Sequence, residues 1–435
     1  MDNTRSIAVF WFRRDLRLLD NTALFHALVS GLKVLPIFIF DENILSKLNS
    51  DDKRINFIYQ AIQRLNQSLV PYKTSINVFY GKPEKIFDYL LSKYNLSKVF
   101  ANHDYEPYAQ SRDLQVKKIL AEKGVLLQTF KDQVIFEKKE IIKSTGEPYT
   151  VFTPYSHRWI ETLRQDMNYL HTWSSKDYLF NLIQNEQDHE FRIADIGFAL
   201  SNDVFQQFEL NAASLAHYDK TRDYPALDST SRVSVHLRFG TISIRQLVSS
   251  AIEINAVWLN ELIWREFFMQ ILWNYPHVVE QAFKPKYRFV KWLNNEKDFE
   301  AWSSGHTGYP LVDAGMRELN ETGFMHNRVR MVTASFLVKH LLVTWQWGEA
   351  YFASKLLDFE LSSNNGNWQW AAGTGSDSAP YFRIFNPMTQ ADKFDPKSIY
   401  IKKWVPEYNE KSYVKPIVEH AFARSRCLET YKMSL

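Results

Sequence analysis

The 435 residues predict an amino-terminal α/β domain, a doubly wound parallel sheet, joined by a long linker to an all-helical domain. Three observations carry this. The chain exceeds what one ordinary hydrophobic core serves, so two domains are the default. Its first 130 residues alternate apolar or β-branched runs with amphipathic stretches, the pattern of a parallel sheet covered on both faces. After about Leu210 the apolar spacing turns to three and four and stays there to the end.

In order, strands are expected at Ile7–Phe12, Val34–Phe40, Ile76–Tyr80, Lys98–Ala101 and Leu126–Phe130, and helices near Thr22–Leu32, Asp52–Gln67, Pro83–Tyr94 and Gln110–Lys123. The turn after the first strand, Phe12-Arg13-Arg14-Asp15-Leu16-Arg17, has no Gly-rich phosphate fingerprint, which disfavours an ordinary dinucleotide site there. From 131 to 208 the signals weaken: Gly146-Glu147-Pro148-Tyr149 marks a turn, and the polar run Gln184–Glu190 suggests a long surface connection. Residues 209–435 form the helical domain, with segments at Ser243–Glu253, Trp258–Trp273, Tyr309–Asn320, Asn327–Leu342 and Trp347–Asp358.

Composition excludes several classes. With 45% hydrophobic and 23% charged residues, no apolar run long enough to span a bilayer and no apolar signal core after Met1, the chain reads as soluble and cytoplasmic. The lone Cys427 excludes an internal disulfide and a Cys-based metal cage, and no convincing metal cluster stands out. A net charge of +3 means that any nucleic-acid affinity must come from a local patch.

Ten of the thirteen Trp lie between Trp258 and Trp404, so the enrichment is regional, as stacked bases or a large planar cofactor would require. Leu361 to Pro387 stands out: Asn364, Asn365, Trp368 and Trp370 fall within a few positions. Tandem Asn and Gly lower helix propensity, so this mixture reads as a site and not as a core helix. Three clusters accompany it. Tyr218, Arg222 and Thr230-Ser231-Arg232-Val233-Ser234 precede a helix that begins near His236, an anion site or plain N-capping. Glu261 and Trp264 share a helix face. Asn327, Arg330 and Met331 share another, with Arg330 and Asp358 a candidate ion pair.

These clusters, with Trp11-Phe12-Arg13-Arg14-Asp15 and the run from Thr307-Gly308-Tyr309-Pro310 to Asn386-Pro387, resemble the photolyase/cryptochrome family, above all class I cyclobutane pyrimidine dimer DNA photolyases. The resemblance implies an antenna domain at 1–130, a linker at 131–208 and a helical domain at 209–435 that holds FAD and binds DNA. It implies that Tyr218 and Thr230, Ser231, Arg232, Val233 and Ser234 hold the phosphates and ribityl chain. Asp358 and Glu360 face the adenine and flavin ends, with Arg330 pairing Asp358; where the family most often has Asp-Gly-Asp or Asp-Ala-Asp, this chain has Asp358-Phe359-Glu360. Asn364 is placed beside flavin N5, where an amide stabilises reduced flavin without supplying the proton of an acid.

By the same resemblance Glu261, Trp264, Asn327, Met331 and Trp370 line the lesion cavity, and Arg222, Arg328, Arg383 and Gln390 approach the DNA strand, extended by Lys284, Lys286 and Arg288. Trp368, Trp345 and Trp292 form the electron-transfer chain. The implied activity is light-driven repair of cyclobutane pyrimidine dimers by a monomer with no obligate protein partner. Folate-using relatives carry Glu where this chain has Ala109, which leaves a deazaflavin, a flavin or no antenna open. Two other readings are a cryptochrome-type blue-light photoreceptor, which often carries a long tail where this chain ends about thirty residues after Trp404, and a flavin-free helical DNA-binding protein.

Overall fold

The computed structural model describes residues 5–185 and 191–434, so residues 186–190 of the polar run Gln184–Glu190 and the first four positions lie outside the described residues. The chain divides into two compact units: residues 1–137, 161–210 and 233–253, and residues 138–160, 211–232 and 254–435.

The first unit is built on a parallel sheet of β1 (Ile7–Phe12), β2 (Lys33–Asp41), β3 (Asn77–Gly81), β4 (Leu96–Asn102) and β5 (Leu126–Phe130), in the order β3-β2-β1-β4-β5. Strand side chains alternate between faces, so consecutive apolar residues supply two cores. Ala8, Phe10, Phe12, Phe38 and Phe40 pack with helices α1 (Thr22–Leu28) and α2 (Lys53–Leu69). Val9, Trp11, Leu35, Ile37 and Ile39 pack with α3 (Pro83–Lys93) and α4 (Pro107–Glu122), which starts three residues before the sequence expectation because Pro107 sits at its first position. Strand order reverses at β1, the place where such sheets open a ligand crevice. Here Asn102 at the end of β4 donates to Asp15 Oδ2 at 2.6 Å and to Asn21 Oδ1 at 2.8 Å, filling the turn after β1 with a polar network. Ala109 is buried in α4.

The second unit is helical. Its main helices are α5 (Ala256–Asn274), α6 (Glu296–Ser303), α7 (Pro310–Thr322), α8 (Asn327–Ser335), α9 (Trp345–Lys355), α10 (Leu361–Ala372), α11 (Pro387–Phe394), α12 (Ile399–Trp404) and α13 (His420–Lys432). The turn expected at Gly146 is present, with its N–H on Lys143 O and its φ at +84°.

Two expectations are corrected. The single helix read at Asn327–Leu342 is α8 followed by a π-helical turn over Phe336–His340. Tertiary partners set that register: Lys339 Nζ donates to Ala372 O at 2.8 Å, and His340 Nε2 meets His420 Nδ1 at 2.9 Å, demands that apolar periodicity does not encode. The segment around Asn364 and Trp368 is helix, α10. Glu360 caps it, accepting from Ser362 N at 3.3 Å and Ser363 N at 2.9 Å. The low propensity of Gly366 is overridden by packing, since a Cβ there would lie 2.1 Å from Phe268 Cδ1 on α5.

Candidate functional site

All contacts that follow lie within the second unit. Helix α10 presents Asn364 and Trp368, four residues apart, toward α9. Asn364 is buried, and its Nδ2 donates to Glu349 O at 3.1 Å and to Glu349 Oε1 at 2.8 Å. Both amide protons are thereby engaged, the amide cannot flip, and its Oδ1 accepts no hydrogen bond among the described residues. Burial raises the Glu349 carboxyl, and the Asn364 bond opposes that rise. The Trp368 indole closes on the same helix: a Cβ on Gly348 would lie 2.1 Å from its Cη2.

Arg330, on α8, grips Asp358 bidentately, Nη1 to Oδ1 at 3.2 Å and Nη2 to Oδ2 at 2.9 Å, while its Nε donates to Met325 O at 2.7 Å. The Asp358 carboxylate is 9% exposed and the guanidinium 25%, so the expected pair is made and largely desolvated. Arg330 and Arg232 both lie over the Phe324 ring, at 6.0 and 4.7 Å, and Arg232 also pairs with Asp228. Thr230 and Ser231 are half-buried beside it. Val233, buried, and Ser234, exposed at the start of the short helix Ser234–Phe239, belong to the first unit. Glu360 turns its carboxylate onto its own helix, taking the Ser362 hydroxyl at 2.5 Å, and Phe359 packs against the main core.

The structure joins residues that the sequence kept in separate clusters. Arg222 Nη1 donates to Glu261 Oε1 at 2.6 Å, and the guanidinium lies 5.3 Å from the Tyr218 ring centroid. Burial first, then Glu261, pushes the Tyr218 phenol up to about 12. Arg328 Nη2 donates to Asp223 Oδ1 at 2.7 Å and stacks over Phe394 at 4.3 Å. Trp264, one turn from Glu261 on α5, is covered on one face by Phe152, stacked at 3.7 Å. Asn327 is exposed at the start of α8, Met331 half-buried one turn on, and Trp370 partly buried against the main core. Arg383 is exposed in a turn closed by its N–H on Pro380 O, and Gln390 lies on α11. No hydrogen bond or ring contact among the described residues ties these five to the Arg222–Glu261 pair. Lys284 donates to Ser378 Oγ at 2.8 Å; Lys286 and Arg288 are exposed. Trp368 and Trp345, each 2% exposed, belong to one apolar cluster against which Trp292 packs.

Glu349 escaped sequence reasoning, and His326, though part of the cluster at 323–331, was given no role by it. Glu349 is a lone carboxylate in the otherwise apolar and polar-neutral Trp345–Ala353, a signal that was available. His326 caps α8, its Nδ1 accepting from Arg328 N at 3.2 Å, so its Nε2 carries the proton; that atom is buried with no partner among the described residues. Burial and Arg330 hold the imidazole down to about 4, so it is neutral. The donor set fits a flavin nucleotide: a desolvated guanidinium–carboxylate pair, a locked amide with an open carbonyl, an orphaned N–H, and indoles at van der Waals contact.

Comparison with known proteins agrees with this chemistry. The family model described as the FAD binding domain of DNA photolyase matches residues 258–411, and that described as DNA photolyase matches residues 8–171. The chain is 35% identical over 463 residues to the deoxyribodipyrimidine photo-lyase of Escherichia coli, covering 97% of this chain and 98% of that protein. It superposes on a class III photolyase from Agrobacterium tumefaciens with a TM-score of 0.86 at 30% identity, covering 100% of this chain and 98% of the other. On a Synechocystis cryptochrome the TM-score is 0.87 at 25% identity, with 99% and 100% covered.

Proposed function

Because the chain belongs to the DNA photolyase family and carries its FAD-binding domain, we propose that this enzyme repairs cyclobutane pyrimidine dimers in DNA under light. Bound FAD, in its reduced form, supplies one electron under blue or near-ultraviolet light and recovers it once the two bonds linking the pyrimidines have broken. No acid, base or metal is needed for that cycle, and the protein's task is to bind, orient and exclude water.

The observation that carries the reading is the half-buried Glu261 carboxylate, held at 2.6 Å by Arg222 one turn from the Trp264 indole. An anchored acceptor beside an apolar wall suits a flipped pyrimidine pair, which offers imide N–H groups and flat faces; photolyases are among the enzymes that flip their target out of the stack. Dimer-distorted DNA is weakly stacked, which lowers the flipping penalty. Asn327, Met331 and Trp370 complete the cavity in this reading. Arg328 and Arg383, with Gln390, approach phosphates, contacts that position the strand without reading the lesion. Asn364, fixed by Glu349, would offer its carbonyl to the bound flavin. Arg330 and Asp358, with Tyr218, Thr230, Ser231 and Arg232 of the same unit, would hold the cofactor. Trp368, Trp345 and Trp292 relay electrons to oxidised flavin before repair begins. The antenna, deazaflavin or flavin where one is used, is assigned to the first unit.

Competition binding at two salt concentrations tests this. Glu261→Ala and Trp264→Arg lose discrimination between dimer-containing and undamaged DNA, while Arg328→Ala and Arg383→Ala weaken binding to both and make the salt dependence shallower. The opposite pattern moves the lesion cavity elsewhere and favours the photoreceptor reading.

A further inference from the structure

Four charged side chains around Glu261 form one connected series of ion pairs. Glu261 Oε1 accepts from Arg222 Nη1 at 2.6 Å, and Glu261 Oε2 accepts no hydrogen bond among the described residues. Arg222 Nε lies 4.0 Å from Asp223 Oδ1, the same oxygen that accepts from Arg328 Nη2 at 2.7 Å. One carboxylate oxygen is thus placed between two guanidiniums, while Asp223 Oδ2 accepts nothing among the described residues. Arg328 is under-satisfied: beyond the Asp223 bond and its stacking on Phe394 at 4.3 Å, its Nε–H is buried with no partner among the described residues. Side-chain exposures from 18% at Arg328 to 38% at Asp223 make these pairs inexpensive to exchange. Two cations and two anions cancel, so the free protein offers a phosphate no net charge here.

We propose that Asp223 is a specificity-determining residue that restrains Arg328 from DNA phosphates until a dimer at Glu261 sends Arg222 across to it. This rests on the assignment of Glu261 to the lesion and of Arg328 to the strand. A flipped dimer brings two imide N–H donors to the Glu261 carboxylate, where they compete with Arg222 Nη1 for Oε1. Asp223 is already 4.0 Å from Arg222 Nε, so a small rotation keeps that guanidinium paired, with the Tyr218 ring 5.3 Å away to support it. With Arg222 on it, Asp223 holds Arg328 less firmly, because the two guanidiniums repel each other across the shared carboxylate. Arg328 then engages a phosphate, which also gives its stranded N–H an acceptor. On undamaged DNA nothing displaces Arg222, Asp223 keeps its pull on Arg328, and the phosphate contact is weaker. Lesion recognition is thereby coupled to backbone grip through an element that works against the wrong partner.

The experiment measures binding of flavin-loaded protein, in the dark, to a duplex carrying one thymine dimer and to its undamaged counterpart over a series of salt concentrations. In the wild type, affinity for the dimer duplex falls more steeply with salt, by up to about one unit of logarithmic slope, the equivalent of one phosphate. Asp223→Asn keeps a carbonyl for Arg328 and removes the charge. It should raise affinity for undamaged DNA several-fold, raise that for the dimer duplex less, and bring the two slopes together, flavin content being unchanged. Adding Arg328→Ala should abolish the increase, which general removal of a negative charge would not. Equal increases on both duplexes, no increase, or an increase that survives Arg328→Ala overturns the coupling while leaving Glu261 in the cavity. Wild-type protein that binds both duplexes alike instead overturns the premise, and the coupling with it.

Discussion

Replacing Glu349 by Leu tests whether the Asn364 amide is positioned by its neighbour. The bond from Asn364 Nδ2 to Glu349 Oε1 is 2.8 Å, and the second bond, to Glu349 O at 3.1 Å, survives the substitution because it uses the backbone. A hydrogen bond to a charged group contributes roughly 1.5–3 kcal/mol, and a half-buried carboxylate belongs at the lower end. If about 1.4 kcal/mol of that bond is expressed as a difference in how well the amide stabilises one redox state of the flavin over the other, the redox equilibrium changes about tenfold, which is about 59 mV for a one-electron couple. The expected outcome is a shift of some tens of millivolts in the potential of bound FAD, measured by spectroelectrochemical titration, with Glu349→Gln giving a smaller shift because a neutral carbonyl still accepts. The decisive arm is Glu349→Leu combined with Asn364→Ala: if Glu349 acts through the amide, the double variant matches Asn364→Ala. An unchanged potential in Glu349→Leu with full flavin content, or shifts that simply add, refutes positioning.

Asp358→Ala strands the Arg330 guanidinium in a largely desolvated place; a fully buried pair loses 3–5 kcal/mol, and a guanidinium one-quarter exposed reduces this to about 2 kcal/mol. Flavin content and the unfolding free energy of the apoprotein should both fall, and retention of full flavin in this variant and in Arg330→Ala removes the pair from the cofactor site. Acid should destabilise the second unit through His326, whose folded value lies at about 4, below the ordinary 6.5. As pH falls from 6.5 toward 4 the unfolded chain takes up a proton that the folded chain refuses, so stability is lost across that window, by about 3 kcal/mol in all. His326→Asn keeps an N-cap acceptor and removes the titration; denaturant melts that keep the wild-type slope in this variant exclude His326 as the source.

The sheet was legible because its signal is local: Ala8, Phe10 and Phe12 against Val9 and Trp11 divide two cores by parity alone, and the strands bounded by them lie within two residues of expectation. Helix α10 was not, because what stabilises it is distant in sequence. Gly366 is needed by Phe268, and Gly348 by Trp368, contacts with nothing nearby in the chain to announce them. The cap is Glu360, a residue whose place in the family pattern directed attention to the cofactor and away from the helix it starts. Reading the segment as helix changes what its residues can do together. Asn365 and Gln369, one turn apart, both donate to Val278 O at 2.9 Å and fasten one side of α10 to the short turn Pro276–Val279 that follows α5. Asn364 and Trp368, one turn apart on the adjoining side, are turned to α9. In the proposed reading, the amide beside the flavin and the indole of the electron relay are thus set by a single rigid element, so a perturbation that tilts α10 should move the flavin potential and the photoreduction yield together, while one confined to Glu349 should move only the first.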